Sequence, residues 1–63
     1  SEDLALGDRY YIEGLLAAKR GDLKTAKNSF LEAQRVDPNN PAAEMLGMIS
    51  DIYDFYYKDN LNP

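Results

Sequence analysis

Few residues in this chain could do chemistry. Asp51 and Asp54 are one helical turn apart, a spacing that puts two carboxylates on one face and lets them share acid and base roles. The hydroxyls of Ser1, Thr25, Ser29 and Ser50 are the candidate nucleophiles, and none has an obvious base to activate it. His and Cys, the usual activators and zinc ligands, are both absent. No Gly-rich phosphate loop follows a strand pattern. This inventory argues against an enzyme and against a bound metal or other cofactor. Asp51 and Asp54 then read as a solvated acidic stripe. Lys24, Lys27 and Arg35 form a basic row that would suit an anion or nucleic acid. No aromatic is interleaved with it and the formal charge is −4, so it reads as a solvated face with no nucleic-acid partner.

The elements that carry these residues are helices. A first helix is expected over residues 4–19, with Ser1 or Asp3 as its cap and acidic residues in the first turn, where the helix dipole favours them. At about 100° per residue, Leu4, Leu6, Gly7, Tyr10, Tyr11, Gly14, Leu15, Ala17 and Ala18 fill one continuous arc. Gly7 and Gly14 within that arc point to close backbone approach, since a helix-interior glycine otherwise costs up to about 1 kcal/mol. Arg20-Gly21-Asp22 is the turn: Gly21 ends one helix in the left-handed conformation and Asp22 caps the next. The second helix spans 23–36 and buries Leu23, Ala26, Phe30, Ala33 and Val36. Pro38 stops it by forcing Asp37 out of helical geometry. Asn40 then caps a third helix over 41–57, with Pro41 at its first position. Its expected inward row is Met45, Met48, Ile49, Ile52 and Tyr56, and a polar end follows from Lys58.

The pattern Tyr10-x2-Glu13-Gly14-x2-Ala17…Ala26-x3-Phe30…Pro38, with Gly21 and Ala33 in register, resembles a tetratricopeptide repeat, whose signature is W-x2-L-G-x2-Y…A-x3-F…P over about 34 residues. Glu13 and Ala17 depart from it, standing where an apolar and an aromatic residue are usual. The resemblance covers residues 7–40. It weakens over 41–57, where the pair Leu46-Gly47 comes about one residue early for a direct continuation. The resemblance implies an all-α fold: an antiparallel helical hairpin plus a third helix that opens a second repeat. It also implies a scaffold that binds proteins or peptides. In longer arrays of this family the first helices line a concave groove, and the positions here that would face it are Tyr11, Leu15, Ala18 and Lys19. The basic and amide cluster that grips a peptide carboxylate in some members has no counterpart, since Tyr11 and Leu15 occupy those places.

At 63 residues the chain is at most one domain, and a chain of that size buries only about 60% of its unfolded surface. With no Cys to staple it, tight helix packing or a partner must make up the deficit. Charge alternates along the chain: residues 1–18 carry a net −3, residues 19–36 a net +3 and residues 37–63 a net −4. That pattern favours antiparallel neighbours by roughly a few tenths of a kcal/mol per exposed pair. No apolar run approaches the about 18 residues that would span a bilayer, and no signal-peptide pattern is present, so no membrane partner is expected. The start at Ser1 and not Met reads as a processed, trimmed or excised piece.

The third helix carries the most apolar surface. Phe55, Met48, Ile52, Met45, Tyr56, Ile49, Tyr53, Leu46 and Tyr57 occupy a wide contiguous arc, more than a two-helix hairpin covers. Tyr53, Phe55, Tyr56 and Tyr57 are therefore candidate contacts, either with a protein or peptide or with a second copy in a homodimer. The alternative is a structural segment capping the C-terminal end of a longer repeat array or belonging to a larger multidomain protein.

Overall fold

The computed structural model describes the backbone of residues 2–57 and the side chains of residues 6–56. The fold is all-α, and the described residues form three helices: α1 (Glu2–Lys19), α2 (Leu23–Val36) and α3 (Ala42–Tyr57). Among the described residues there is no strand. α2 has the expected bounds. α1 begins at Glu2 and not near residue 4, so Asp3 lies inside it and is not its cap. α3 begins at Ala42, one residue after the expected Pro41. The expected cap at Ser1 and the polar end from Lys58 lie outside the described residues, as do the side chains of Leu4 and Tyr57.

The first turn closes one helix and opens the next through two adjacent residues. Gly21 has φ +84°, a backbone conformation that costs glycine little and other residues much. Its N–H donates to the Ala18 carbonyl at 2.9 Å, and the Asp22 N–H donates to the Ala17 carbonyl at 2.9 Å. This pair of bonds satisfies carbonyls that a helix end otherwise leaves open. The Asp22 carboxylate then accepts the Thr25 N–H at 3.1 Å and caps α2. α1 and α2 must therefore fold back on each other as an antiparallel hairpin.

Phe30 sits at the centre of that hairpin with no exposed surface. Its ring lies on Gly14: a Cβ added there would stand 2.6 and 2.8 Å from the ring carbons Cδ1 and Cζ, and closer still to Cε1. Ala17, Ala26 and Ala33 are fully buried around it, small enough to leave room for the ring. Tyr11 packs on the same ring with centroids 5.7 Å apart, tilted by 49°.

The second connection is held as firmly. The Asp37 N–H still bonds the Ala33 carbonyl at 2.9 Å, while φ −139° and ψ 96° take the chain out of the helix before Pro38. Asn40 is buried, and its Oδ1 accepts the Ala42 N–H at 2.9 Å, which caps α3. Gly7 of α1 lies against this linker: a Cβ there would come within 3.1 Å of the Asp37 Cβ. Gly7 is thus a second point of close approach.

α3 packs on α2, antiparallel to it, through Ala42, Met45, Leu46 and Ile49. This corrects the expected inward row at two positions, because Met48 and Tyr56 are exposed. Met48 is one residue, about 100°, away from the buried Ile49 and so falls to the side of the seam. Tyr56 lies on the seam side but in the last turn of α3, beside the start of α2 at Leu23, where few side chains remain to cover it.

The packing makes opposite predictions for one chemical change at two glycines. Gly14→Ala should destabilise by about 1 to 3 kcal/mol by overpacking against Phe30, although alanine is the better helix former. Gly47→Ala meets nothing within 4 Å and should stabilise α3 by about 0.5 to 1 kcal/mol. Thermal and urea melts followed by circular dichroism measure both, and equal effects would mean that the ring does not fill the space over Gly14. Phe30→Ala should cost about 3 to 5 kcal/mol, most of the stability of a domain this small.

Candidate functional site

The residues suggested for contact fall on two surfaces. Tyr11, Leu15, Ala18 and Lys19 lie along one edge of α1. Tyr11 and Ala18 are half-buried and packed against the core, whereas Leu15 and Lys19 are exposed. Tyr11 thus divides its ring between Phe30 and the surface. Tyr10 is also half-buried against the core.

The second surface is on α3. Phe55 is 76% exposed, far more than a ring of that size usually is, and Met48 is 54% exposed. The Phe55 ring stands edge-on to Tyr56, with centroids 5.3 Å apart. Tyr53 and Tyr56 turn towards the first connection. Together with Ile52, Gly21, Asp22, Leu23 and Lys24 they line a cavity of about 490 Å³ at the end where α3 passes the α1–α2 turn.

This cavity joins residues 21–24 to Ile52, Tyr53 and Tyr56, far apart in the chain, and has no local signal in the sequence. Ile12 and Leu16, both more than half exposed on the face of α1 opposite Gly14, were not among the expected contact residues either. Their spacing of four residues was the available signal. The wider arc through Gly14 took precedence over it.

The polar residues have simple surroundings. Asp51 and Asp54 are exposed on α3, and Ser29 is buried on α2. Lys24, Lys27 and Arg35 are exposed on α2. The Arg35 guanidinium donates to Glu32 Oε1 through Nε at 3.1 Å and Nη2 at 2.8 Å. That pair is solvent-facing and contributes little to stability. Among the described residues no cluster of three or more acidic, His or Cys side chains could hold a metal, and no helix is long and apolar enough to cross a membrane.

No family model, curated protein or solved structure matches this chain.

Asp22, at the rim of the cavity, has a carboxyl held below its ordinary value of 3.8, first by the hydrogen bond from the Thr25 side chain and next by the Thr25 backbone N–H. A depressed folded-state pKa stabilises the fold above the ordinary carboxylate range, and the contribution is lost as pH falls through the folded value. Asp22→Asn keeps a capping oxygen but cannot titrate. The melting temperature of Asp22→Asn should therefore fall less steeply than that of the parent as pH drops below about 4.

Proposed function

We infer that this chain is a non-enzymatic protein-interaction module of the tetratricopeptide type that works through apolar and aromatic surface. The observation that carries the reading is the exposure of Phe55 and Met48 on a helix that packs on α2 through Ala42, Met45, Leu46 and Ile49. A small domain rarely leaves large rings and thioethers in water without a use for them, and Met and aromatic residues are enriched where a surface meets a partner. The contact of Phe30 with Gly14, framed by Ala17, Ala26 and Ala33, supports the repeat assignment, because these are the positions of the signature.

Self-association through α3 is the favoured use. In repeat terms α3 stands where a first helix would, and a second copy can cover the face that such a helix offers a partner. The alternative, a segment capping a longer array, would be served best by a polar outer face. The exposed Phe55 and Met48 count against it.

Light scattering over a wide dilution range, with helicity followed on the same samples, tests the proposal. The parent should show more than one chain when concentrated and one chain when dilute. Phe55→Glu should lower the mass at the concentrations where the parent associates and leave helicity close to that of the parent. A parent that stays a single chain throughout would overturn self-association. A Phe55→Glu variant that associates as the parent does would remove this face of α3 from the interface.

A further inference from the structure

The exposed faces of α2 and α3 are complementary. Round the outside of α3, Glu44, Met48, Asp51 and Phe55 follow at spacings of four, three and four, which place them in one stripe. All four are exposed. Along the stripe carboxylates and apolar side chains alternate. On α2, Lys24, Lys27, Leu31 and Arg35 follow at spacings of three, four and four, and all are exposed. Leu31, 44% exposed, is a lone apolar residue within a row of cations.

The two stripes match in an antiparallel register. With Leu31 placed on Met48, the four-residue step to Arg35 meets the four-residue step back to Glu44. In the other direction Lys27 comes beside Asp51, and the seven-residue step to Lys24 equals the seven-residue step to Phe55. At about 1.5 Å rise per residue, three of these pairings coincide along the helix axis and the fourth differs by one residue. Arg35 already gives two of its N–H groups to a single oxygen of Glu32, which leaves its other donors to turn towards a second carboxylate.

We propose that the α3 stripe of one chain docks antiparallel on the α2 stripe of a second copy, with Met48 on Leu31, Glu44 and Asp51 on Arg35 and Lys27, and Phe55 under the Lys24 ammonium. The proposal rests on the reading of α3 as a binding surface and names what covers it. Charge selects the occupant: a symmetric α3-to-α3 contact would gather Glu44, Asp51 and Asp54 of both copies in one seam with no basic residue of α3 to offset them, whereas α2 offers cations. Lys24 over Phe55 adds a cation–π contact. The donor and acceptor faces differ, so each contact leaves one stripe of each kind for another, and chains continue to add unless two copies close the exchange reciprocally.

Paired charge reversals test it. Glu44→Lys with Asp51→Lys makes one variant, and Lys27→Glu with Arg35→Glu makes the other. Each alone sets like charges against each other and should run as a single chain at concentrations where the parent associates, with helicity retained. An equimolar mixture of the two restores opposite charges at every contact and should recover the mass of the parent. Association of the parent should also weaken as salt is raised. If the parent associates and neither reversal changes its mass, this pairing of faces is overturned while association through α3 stands or falls by Phe55→Glu. If each reversal gives single chains and the mixture does too, the charges do not meet across an interface and the proposal fails. A parent that never associates overturns the proposal together with the self-association on which it rests.

Discussion

The structure depends on the Phe30 ring lying against the bare Cα of Gly14. A glycine inside a helix gives up roughly 1 kcal/mol of helix propensity. Burying an aromatic ring returns about 1.5 to 3 kcal/mol, so the exchange is favourable only if the two helices come close enough to enclose the ring. That closeness constrains the rest of the seam. Ala17, Ala26 and Ala33 fit because a methyl group is nearly all the space allows, and larger side chains there would push the helices off Phe30. The core of the hairpin is therefore one large ring and several small residues.

Two connections keep this contact in register. The bonds from Gly21 and Asp22 back to Ala18 and Ala17 end α1 at a defined residue, and the Asp22 cap starts α2 almost at once. The phase of α2 relative to α1 is thereby set, and Phe30 arrives opposite Gly14 without help from long-range packing. The second connection depends on the first helix as well. Gly7 lies against Asp37 and Asn40, and buried Asn40 caps α3, so the direction of α3 is fixed by the linker as well as by its own seam on α2.

The parts legible in the sequence were those with local chemical causes. Gly21, Asp22, Pro38 and Asn40 mark their turns through backbone conformation and capping, which no distant residue has to confirm, and α2 was bounded correctly for that reason. Phe30 and its alanines were legible through strict three- and four-residue spacing. The rotation of α3 was less so: Met48 and Tyr56 turned out to be exposed, and Ala42 and Leu46 took part in the seam. A helix that is apolar over most of its circumference gives periodicity no gradient to read, and only its neighbour decides which half is covered. The cavity beside Gly21 was hidden for a related reason, since it exists only where the end of α3 passes a turn far away in sequence. On the contact surfaces, Leu15 and Phe55 lie open to solvent, while Tyr11 is partly taken into the core.

Three helices in which the middle one does most of the packing have a built-in asymmetry. α2 meets neighbours on two sides and can keep polar residues for the rest of its surface, whereas α1 and α3 each meet one neighbour substantially. An end helix that is amphipathic with a narrow apolar stripe would be satisfied by that single contact. α3 is apolar well beyond its stripe, and α1 carries Ile12 and Leu16 opposite its seam. Hydrophobic burial is the dominant favourable term in folding, and a chain of this length has little of it to spare. Apolar residues kept in water on both outer helices add nothing to the stability of a single chain, and under the proposed self-association the stability of the hairpin would rise with the occupation of its outer faces.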